Sequence, residues 1–458
     1  MKFKSIIFGI LAAAALTASA DAPKYVFYFI GDGMGHGAVM AAQTYNRVVL
    51  GNDEPLLMMQ FPVAGMLETY SASSTVTDSA AAGTALATGN KTRNGMLGMD
   101  ADTTAVTSMA AVLHDDGWGV GLVTNVSPDD ATPGAFYAHV PNRGMFYEIG
   151  RQAAESGYEF IAGSRWRGAR DKEGKSRGLY EYMAEKGVDL VNTTEAARKS
   201  DSRRVFYYND NYTGYTVDSI PGQAMLPEVT AVAIEHLKRV SPDRFFLMVE
   251  GGDIDHAAHA NDGGGVVMDV LNFNDALRHA YDFYLEHPHE TVIIVTADHE
   301  TGGLSVGNRH VGYTSYPEYV QYQKISKDRF SALVKKMLKD DDGTMTWEQF
   351  KTFAGEHTGL WRDVPVDERH EAQLREMFDD TFAKRKALAD EKTLYSSFNA
   401  LANAVFNALN DIQGYGWTTS GHSGNPVPVY AIGDGMEAFG KRLDNTNVAP
   451  TLLRIINK

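Results

Sequence analysis

The sequence of 458 residues contains no cysteine. A disulfide framework is therefore excluded, and stability must come from a buried core or from bound metal ions. Apolar residues make up 44% of the chain, so a large core can form. A chain of this length accommodates one large domain with insertions or two domains.

Positive charge is also in short supply. The 42 Lys and Arg residues are outnumbered by 58 Asp and Glu residues, which gives a formal net charge of −16. Such an acidic protein is a poor candidate for binding the nucleic-acid backbone, and its overall field repels small anions as well. If the substrate is a phosphate, bound cations must reverse the sign of the charge locally.

No hydrophobic run is long enough to cross a membrane. Residues 6–16 are apolar, but a permanent spanning helix needs roughly 20 residues. The run follows Lys2 and Lys4 and leads to the small residues Ala18 and Ala20, which is typical of a secretory signal peptide. We therefore predict a signal peptide over residues 1–20, cleavage near Ala20 and an exported protein, periplasmic or secreted, that is not attached to a membrane. An uncleaved N-terminal anchor is the alternative.

Short apolar runs alternate with segments of helical pattern along much of the chain. Strands are predicted at residues 25–30, 119–124, 245–249, 291–296 and 427–432, and helices at 79–88, 103–115, 227–239 and 267–286. This alternation predicts an α/β fold with a doubly wound, mostly parallel central sheet and helices on both faces. In such sheets, ligands bind at the carboxyl ends of the strands.

Two long segments interrupt the alternation. Residues 144–225 are rich in Gly, Tyr, Arg and Asp, and residues 308–415 are polar with a mostly helical pattern. We interpret both as insertions near the active site, within a single catalytic domain over residues 21–458.

Acidic residues and histidines follow several of the predicted strands. The acidic ones are Asp32, Glu250, Asp255 and Asp298, and the histidines are His259, His299 and His422. Taken alone, an Asp after a strand is typical of a helix cap, and a single His is typical of an ordinary surface or core residue. Together, buried carboxylates at neighbouring strand ends would repel one another by several kcal/mol, which cations relieve. Oxygen and nitrogen ligands without thiolates favour zinc, and positions with oxygen ligands alone favour magnesium.

Two further segments add polar groups. Ser79 begins a helix rich in small residues, so that the helix N-terminus would face an anion bound beside it. Simple helix capping is the alternative interpretation, and no histidine close in sequence offers a base, although zinc can activate a serine instead. In residues 130–143, Asp130 and Thr132 offer oxygen ligands and Arg143 offers a planar fork for two phosphate oxygens. Read alone, this segment is a turn with a surface arginine.

These motifs together resemble the alkaline phosphatase family. The matching segments are GDGMG around Asp32, TDSAAAGTALATG around Ser79, DATPGAFYAHV with Arg143, VEGGDIDHAAH, VTADHETGG and HSGNPVPVYAIGDG. The resemblance implies an enzyme that hydrolyses phosphate monoesters with broad specificity, in which Ser79 is transiently phosphorylated. It also implies a homodimer.

The resemblance further implies a three-metal site that holds two Zn²⁺ and one Mg²⁺. One zinc would be held by Asp255, His259 and His422, and the other by Asp32, Asp298 and His299. Magnesium would be held by Glu250 and Thr132, with Asp32 bridging and Asp130 close by, directly or through water. Arg143 would clamp the phosphate, and His256 would lie beside it, where other family members carry lysine or tryptophan.

Two other functions remain open at this point. A phosphodiesterase or nucleotide pyrophosphatase of the same superfamily would share the metal layout but usually uses threonine as nucleophile and lacks the magnesium ligands. An exported binding protein for zinc or phosphate would keep the fold without catalysis. Ser79 with the magnesium set argues against the first, and the complete set of catalytic positions argues against the second.

Overall fold

The computed structural model describes residues 22–169, 178–210, 212, 214–341 and 343–457. The predicted signal peptide, residues 1–20, lies outside this part of the chain. Among the described residues, no helix has the length and apolar character that crossing a bilayer requires.

A sheet of ten strands forms the centre of the molecule. The strands are β1 (Tyr25–Gly31), β2 (Val63–Glu68), β3 (Gly119–Thr124), β4 (Phe160–Ser164), β5 (Asp189–Val191), β6 (Val205–Asn209), β7 (Phe245–Gly251), β8 (Thr291–Thr296), β9 (Val427–Ile432) and β10 (Arg442–Asp444). Their order is β10-β2-β9-β8-β1-β7-β3-β4-β6-β5. Only β9 runs against the others, so the predicted mostly parallel α/β fold is confirmed.

Helices connect and flank the strands. The α-helices are α1 (His36–Val48), α2 (Ser79–Thr88), α3 (Met109–Asp115), α4 (Ala131–Gly134), α5 (Phe146–Glu155), α6 (Leu179–Glu185), α7 (Thr194–Lys199), α8 (Leu226–Val240), α9 (Asp253–His259), α10 (Gly263–Glu286), α11 (Lys327–Asp340), α12 (Trp347–Thr358), α13 (Glu368–Phe378), α14 (Ala400–Gln413) and α15 (Val448–Ile456). The helix predicted at 103–115 begins only at Met109, because the Ser108 side chain caps it by accepting from the Ala111 N–H.

Both faces of the sheet are covered. On β1, Phe29 packs against Phe273 of α10 with ring centroids 5.6 Å apart, whereas the neighbouring Tyr28 packs against Phe136, which follows α4, at 6.0 Å. Successive residues of a strand point to opposite faces, so α10 and α4 lie on different sides. Helices α1 and α8 pack beside α10, and α2 and α15 belong to the group of α4. All seven residues of β1 are buried, as expected for a parallel strand covered on both faces.

The register brings the carboxyl ends of the central strands to one level. Ile30 of β1 pairs with Glu250 of β7 and with Thr296 of β8, and Glu250 pairs in turn with Thr124 of β3. The residues that follow these strands therefore meet at one edge of the sheet. Most of the candidate metal ligands named in the sequence analysis follow these strands.

The two segments interpreted as insertions have different structures. Residues 144–225 contain α5, α6 and α7 and also three strands, β4, β5 and β6, which extend the main sheet at one end. The sequence analysis did not predict these strands. Residues 308–415 contain α11 to α14, which surround a hydrophobic cluster separate from the main core. We call the segment from the start of α11 to the end of α14, residues 327–413, the helical insertion.

Candidate active site and metal centre

One group of potential metal ligands follows β1 and β8. Asp32, Asp298 and His299 are buried together, with ligand atoms close enough for one ion. The Nε2 atom of His299 lies 3.4 Å from Asp32 Oδ1 and 3.2 Å from Asp298 Oδ2. A zinc ion about 2.0–2.2 Å from each ligand spaces tetrahedral donors roughly 3.3–3.6 Å apart, so the observed spacing fits such an ion closely.

A second group lies beside the first. Asp255 and His259 occupy α9, one helical turn apart, and His422 comes from a short strand before β9. The Nε2 atom of His259 lies 3.3 Å from Asp255 Oδ2 and 3.0 Å from His422 Nε2. His422 and His299 stack with their ring centroids 3.6 Å apart, so the two groups adjoin.

Hydrogen bonds to the backbone fix the protonation of the second group. His259 Nδ1 lies 2.6 Å from the Ser420 carbonyl oxygen, and His422 Nδ1 lies 2.8 Å from that of Thr77. Carbonyl oxygens only accept, so each Nδ1 must carry a proton and donate it. In the neutral rings, both Nε2 atoms then present lone pairs to each other and to Asp255. This is the usual arrangement of metal-ligating histidines.

The same reasoning applies to His299. The hydroxyl of Thr301 donates to Asp255 Oδ1, so its oxygen is left to accept from His299 Nδ1 at 3.2 Å. The Nε2 atom of His299 is then unprotonated. Burial lowers the pKa of His299 well below its usual value, which also favours the neutral ring.

Each carboxylate in the two groups has one buried oxygen without a hydrogen bond. These atoms are Asp32 Oδ1, Asp255 Oδ2 and Asp298 Oδ2. Burial, and then the charge of Asp298, raises the pKa of Asp32 well above its usual range. Burial and the charge of Asp255 raise the pKa of Asp298 to about 6. Such carboxylates are costly in a folded protein unless cations neutralise them, so the site fits metal ions.

Ser79 lies where the two groups meet. It is fully buried at the first residue of α2, and its Oγ is 3.1 Å from His299 Nε2. The preceding Asp78 caps the helix by accepting from the Ala81 N–H at 3.0 Å. The sequence analysis weighed capping against chemistry for this segment. The cap is formed by Asp78, which leaves the Ser79 hydroxyl directed at the ligand cluster.

The predicted magnesium ligands lie on the other side of Asp32. Glu250, at the end of β7, accepts a hydrogen bond from the Thr124 hydroxyl and another from Thr132. The Thr132 hydroxyl also lies 3.4 Å from Asp32 Oδ2. Burial raises the pKa of Glu250 to about 8, so this carboxylate also lacks compensating charge. Glu250, Thr132 and Asp32 form an oxygen-only group, which is the type that magnesium prefers.

Arg143 faces the same space from the loop after α4. One of its terminal nitrogens lies 3.3 Å from Asp78 Oδ2, and the other lies 3.1 Å from Asp130 Oδ1. Two carboxylates thus hold the guanidinium on either side and fix the direction of its planar fork, so that it is pre-organised to bind two oxygens of an anion.

Asp130 is placed differently from the other predicted metal ligands. Its Oδ1 accepts from Arg143 and from the Ala131 N–H, and its Oδ2 lies 2.9 Å from a nitrogen of Arg167. Burial opposes ionisation, yet the charges of Arg167 and Arg143 lower the pKa of Asp130 overall. Both oxygens are therefore engaged by protein groups, and this geometry favours contact with a metal through water.

His256 lies one residue beyond Asp255, on the side of α9 that faces the helical insertion. Its ring packs against that of Tyr395, with centroids 4.1 Å apart, and its Nδ1 lies 3.4 Å from Asp253 Oδ1. Burial opposes protonation, but the hydrogen bond and the charge of Asp253 raise the pKa of His256. His256 is thus poised to carry positive charge beside the site.

Three residues near the site were not predicted from the sequence as site residues. Asp78 and Arg167 position Arg143 and Asp130, and Tyr395 covers the site with its hydroxyl 3.5 Å from a nitrogen of Arg143. Tyr395 reaches the site from the helical insertion, 252 residues away along the chain. Only Asp78 had a local signal, as the capping residue next to the nucleophile.

Known proteins match this chain over nearly its whole length. A sequence profile described as alkaline phosphatase matches residues 23–165 and 145–457. Alkaline phosphatase 4 of Bacillus subtilis (strain 168) is 30% identical over 465 residues, covering 98% of this chain and 94% of its own. Repressible alkaline phosphatase of Saccharomyces cerevisiae is 30% identical over 483 residues, covering 94% of this chain and 80% of its own.

Solved structures agree with the sequence relatives. The crystal structure of a cold-active alkaline phosphatase from a psychrophilic Shewanella species superposes with a TM-score of 0.78 at 25% identity, covering 94% of this chain and all of that one. The fold, the full-length sequence match and the buried ligand groups around Ser79 are consistent with one another. The chain belongs to the alkaline phosphatase family and is an enzyme of the phosphomonoesterase type.

Proposed function

We propose that the protein hydrolyses phosphate monoesters through a phosphoserine intermediate on Ser79, with two zinc ions and one magnesium ion as cofactors. One observation carries this proposal. Three unprotonated histidine nitrogens and three carboxylate oxygens without hydrogen bonds are buried together, and His299 Nε2 lies 3.1 Å from the serine hydroxyl. Such a set of lone pairs needs cations.

The residues divide between three ions. Asp255, His259 and His422 would hold one zinc, Asp32, Asp298 and His299 the other, and Glu250, Thr132 and Asp32 the magnesium, with Asp130 near it. When bound, zinc ions in such a pair stabilise negative charge on the attacking and leaving oxygens, and they make the serine hydroxyl more acidic. Arg143 and the cations also account for how a chain with a net charge of −16 attracts a dianion.

Ser79 and Arg143 perform the first half of the reaction. Arg143, held by Asp78 and Asp130, binds two oxygens of the phosphate and orients phosphorus toward Ser79 Oγ. Ser79 loses its proton to solvent, and a bond forms between Oγ and phosphorus. The bond to the leaving oxygen breaks at the same time, that oxygen takes a proton from solvent, and the alcohol departs.

The second half regenerates the serine. Water attacks phosphorus, the bond to Ser79 Oγ breaks, and inorganic phosphate is released. The partial positive charge at the N-terminus of α2 favours the phosphate in both steps. His256, whose pKa is raised beside Asp253, would add positive charge beside the site.

Export and dimer formation are further parts of the proposal. The basic residues, apolar run and small residues at positions 1–20 support export with cleavage near Ala20, and so a periplasmic or secreted enzyme. Family membership supports a homodimer. No feature of the site favours nucleic acid as a partner, and small phosphate monoesters are the proposed substrates.

The test compares p-nitrophenyl phosphate with bis(p-nitrophenyl) phosphate at alkaline pH, before and after chelation. We expect a strong preference for the monoester, loss of activity on chelation, recovery with zinc and a further increase with magnesium. A preference for the diester would support the phosphodiesterase alternative. Activity that resists chelation would contradict the metal assignment, and phosphate binding without turnover by the metal-loaded protein would indicate the binding-protein alternative.

A further inference from the structure

A third group of potential metal ligands lies outside the active site, between the loop after β8 and the helical insertion. His310, Asp367 and His370 bring one oxygen and two nitrogens within reach of a single ion. None of the three belongs to the site around Ser79. His310 is in a turn of that loop, Asp367 caps the N-terminus of α13, and His370 is in the first turn of that helix.

The carboxylate is oriented by its capping role. Asp367 Oδ1 accepts the His370 backbone N–H at 3.0 Å. This leaves Oδ2 facing both rings, 2.8 Å from His370 Nδ1 and 3.0 Å from His310 Nε2. The three ligand atoms thus converge on one point before any ion is present.

The loop that carries His310 is also held in place. The Asn308 side-chain oxygen accepts from the His310 backbone N–H at 2.9 Å. Its side-chain nitrogen donates to the Asp411 carbonyl oxygen of α14 at 2.9 Å and to that of Tyr415 at 3.1 Å. The position of His310 relative to the helical insertion therefore does not depend on a metal.

Behind His370 lies another carboxylate. Asp411 Oδ2 is 3.2 Å from His370 Nε2, on the side of the ring away from Asp367. Metal-ligating histidines usually donate their other ring N–H to such a carboxylate, which fixes the tautomer and makes the free nitrogen a better ligand. With the proton on Nε2, His370 presents the lone pair of Nδ1 to Asp367.

We propose that His310 Nε2, His370 Nδ1 and Asp367 Oδ2 bind a divalent transition-metal ion, with zinc as the best fit. Two imidazoles and one carboxylate suit zinc, and a water molecule completes four-coordination. His370 is 2% exposed, whereas His310 and Asp367 are 27% and 40% exposed. The ion can therefore reach the ligands from solvent while one side of the site stays buried.

Arg369 supplies the competing explanation. Its Nη2 lies 3.0 Å from His310 Nδ1, 2.9 Å from His370 Nε2 and 3.1 Å from Asp411 Oδ2. If Arg369 donates to His310 Nδ1 and His370 Nε2, the ring protons must lie on His310 Nε2 and His370 Nδ1, where both face Asp367 Oδ2. All of these groups would then have hydrogen-bond partners without an ion. Metal binding requires Arg369 to turn toward Asp411 alone. Its side chain is 54% exposed, so this movement is unhindered.

The expected consequence is structural. An ion would join the loop at His310 to the first turn of α13, far along the chain from Ser79. Binding to the folded state alone stabilises that state by mass action, so occupation of this site should raise the melting temperature of the active enzyme above that of His310→Ala without changing its turnover.

The experiment measures zinc bound per chain by equilibrium dialysis of the active, full-length enzyme. Wild-type protein should bind one more zinc than His310→Ala at equal hydrolytic activity. His289→Ala is the matched control, because His289 pairs with Asp434 on the surface and belongs to none of the potential ligand groups among the described residues. Its zinc content should equal that of wild type. The difference between variants does not depend on how many ions the active site holds.

Two further variants separate a metal from a purely hydrogen-bonded cluster. Asp411→Asn should weaken the extra zinc about 10–100-fold, as expected for a carboxylate behind a ligating histidine. Arg369→Ala should bind zinc at least as tightly as wild type, because a competing donor is removed. The proposal is overturned if His310→Ala and wild type bind equal amounts of zinc, or if Arg369→Ala loses the extra ion.

Discussion

The carboxyl edge of the sheet and the core of the helical insertion are both buried, but they are built in opposite ways. At the sheet edge, carboxylates and histidines lie within 3.5 Å of one another, and several buried oxygens have no hydrogen bond. In the insertion, aromatic rings such as Phe350 and Phe378 pack with centroids 5.5 Å apart. Its helices α11 to α14 are each capped by a side chain.

The difference between the two regions shows where the requirements of folding and of function conflict. The core of the insertion follows local rules, since its apolar groups are buried and the N-termini of its four helices are capped. The sheet edge breaks these rules because it buries carboxylates close to one another. Burial and neighbouring negative charge accordingly raise the pKa values of Asp32, Asp298 and Glu250. Sites that break such rules are usually functional. Four predictions test this contrast between the two regions, in order of decreasing expected effect.

Ser79→Ala should lower kcat by at least about 10³-fold, because the nucleophile is removed. The change deletes one hydroxyl and leaves all six zinc ligands in place, so bound zinc and the free energy of unfolding should stay near wild type. Steady-state kinetics with zinc analysis checks both. Activity close to wild type would show that Ser79 is not the nucleophile.

Phe350→Ala tests the other region. Phe350 is fully buried in the aromatic cluster of the helical insertion, and truncating such a residue costs about 3–5 kcal/mol. We expect that loss in denaturant unfolding, with kcat unchanged under conditions where the variant is folded. Phe353→Ala, at a partly buried position of the same cluster, should cost less. A large fall in kcat of folded Phe350→Ala would mean that the two regions are coupled.

Arg143→Ala should raise KM and lower kcat/KM by about 10–100-fold, because a charge-assisted fork to the phosphate is lost and Asp78 and Asp130 each lose one cationic partner. Arg143→Lys keeps the charge without the fork and should recover only part of the loss. Equal activity of the two variants would show that the planar geometry is irrelevant.

Tyr395 is where the two regions touch, and its effect should be the smallest. Tyr395→Phe removes only a long 3.5 Å contact with Arg143 and keeps the ring on His256, so kcat/KM should change by less than about threefold. Tyr395→Ala also removes the ring and should lower kcat/KM further, by about tenfold. If Tyr395→Phe lowers kcat/KM as much as Tyr395→Ala does, the hydroxyl of Tyr395 matters and the packing of its ring on His256 does not.

Much of this architecture could be predicted from the sequence, because the central strands and the helix at Ser79 are marked by local patterns. The observed bounds of β3, β8, β9 and α2 equal the predicted ones. Strands β2, β4, β5, β6 and β10 were missed, and all but β2 are only three to five residues long. Such short strands depend on pairing with the sheet more than on their own pattern.

Some residues of the candidate site could likewise be predicted from the sequence, and others could not. The candidate ligands are marked in the sequence as acidic residues and histidines that follow strands, and the structure brings together each triad that the family resemblance implies. Their assignment to particular ions remains a prediction. Arg167 and Tyr395 could not be found from the sequence, because their roles come from contacts across inserted segments. Nothing in a single chain marks a distant tyrosine as a neighbour of His256.

The most direct test of the account is to identify the phosphorylated residue during turnover. The zinc-loaded enzyme would be mixed with p-nitrophenyl phosphate, quenched rapidly in acid and digested for peptide mass spectrometry, with Ser79→Ala as control. The account predicts one phosphoryl group on the peptide that contains Ser79, and none in the variant. Turnover without phosphate on Ser79, or with phosphate on another residue, would contradict it.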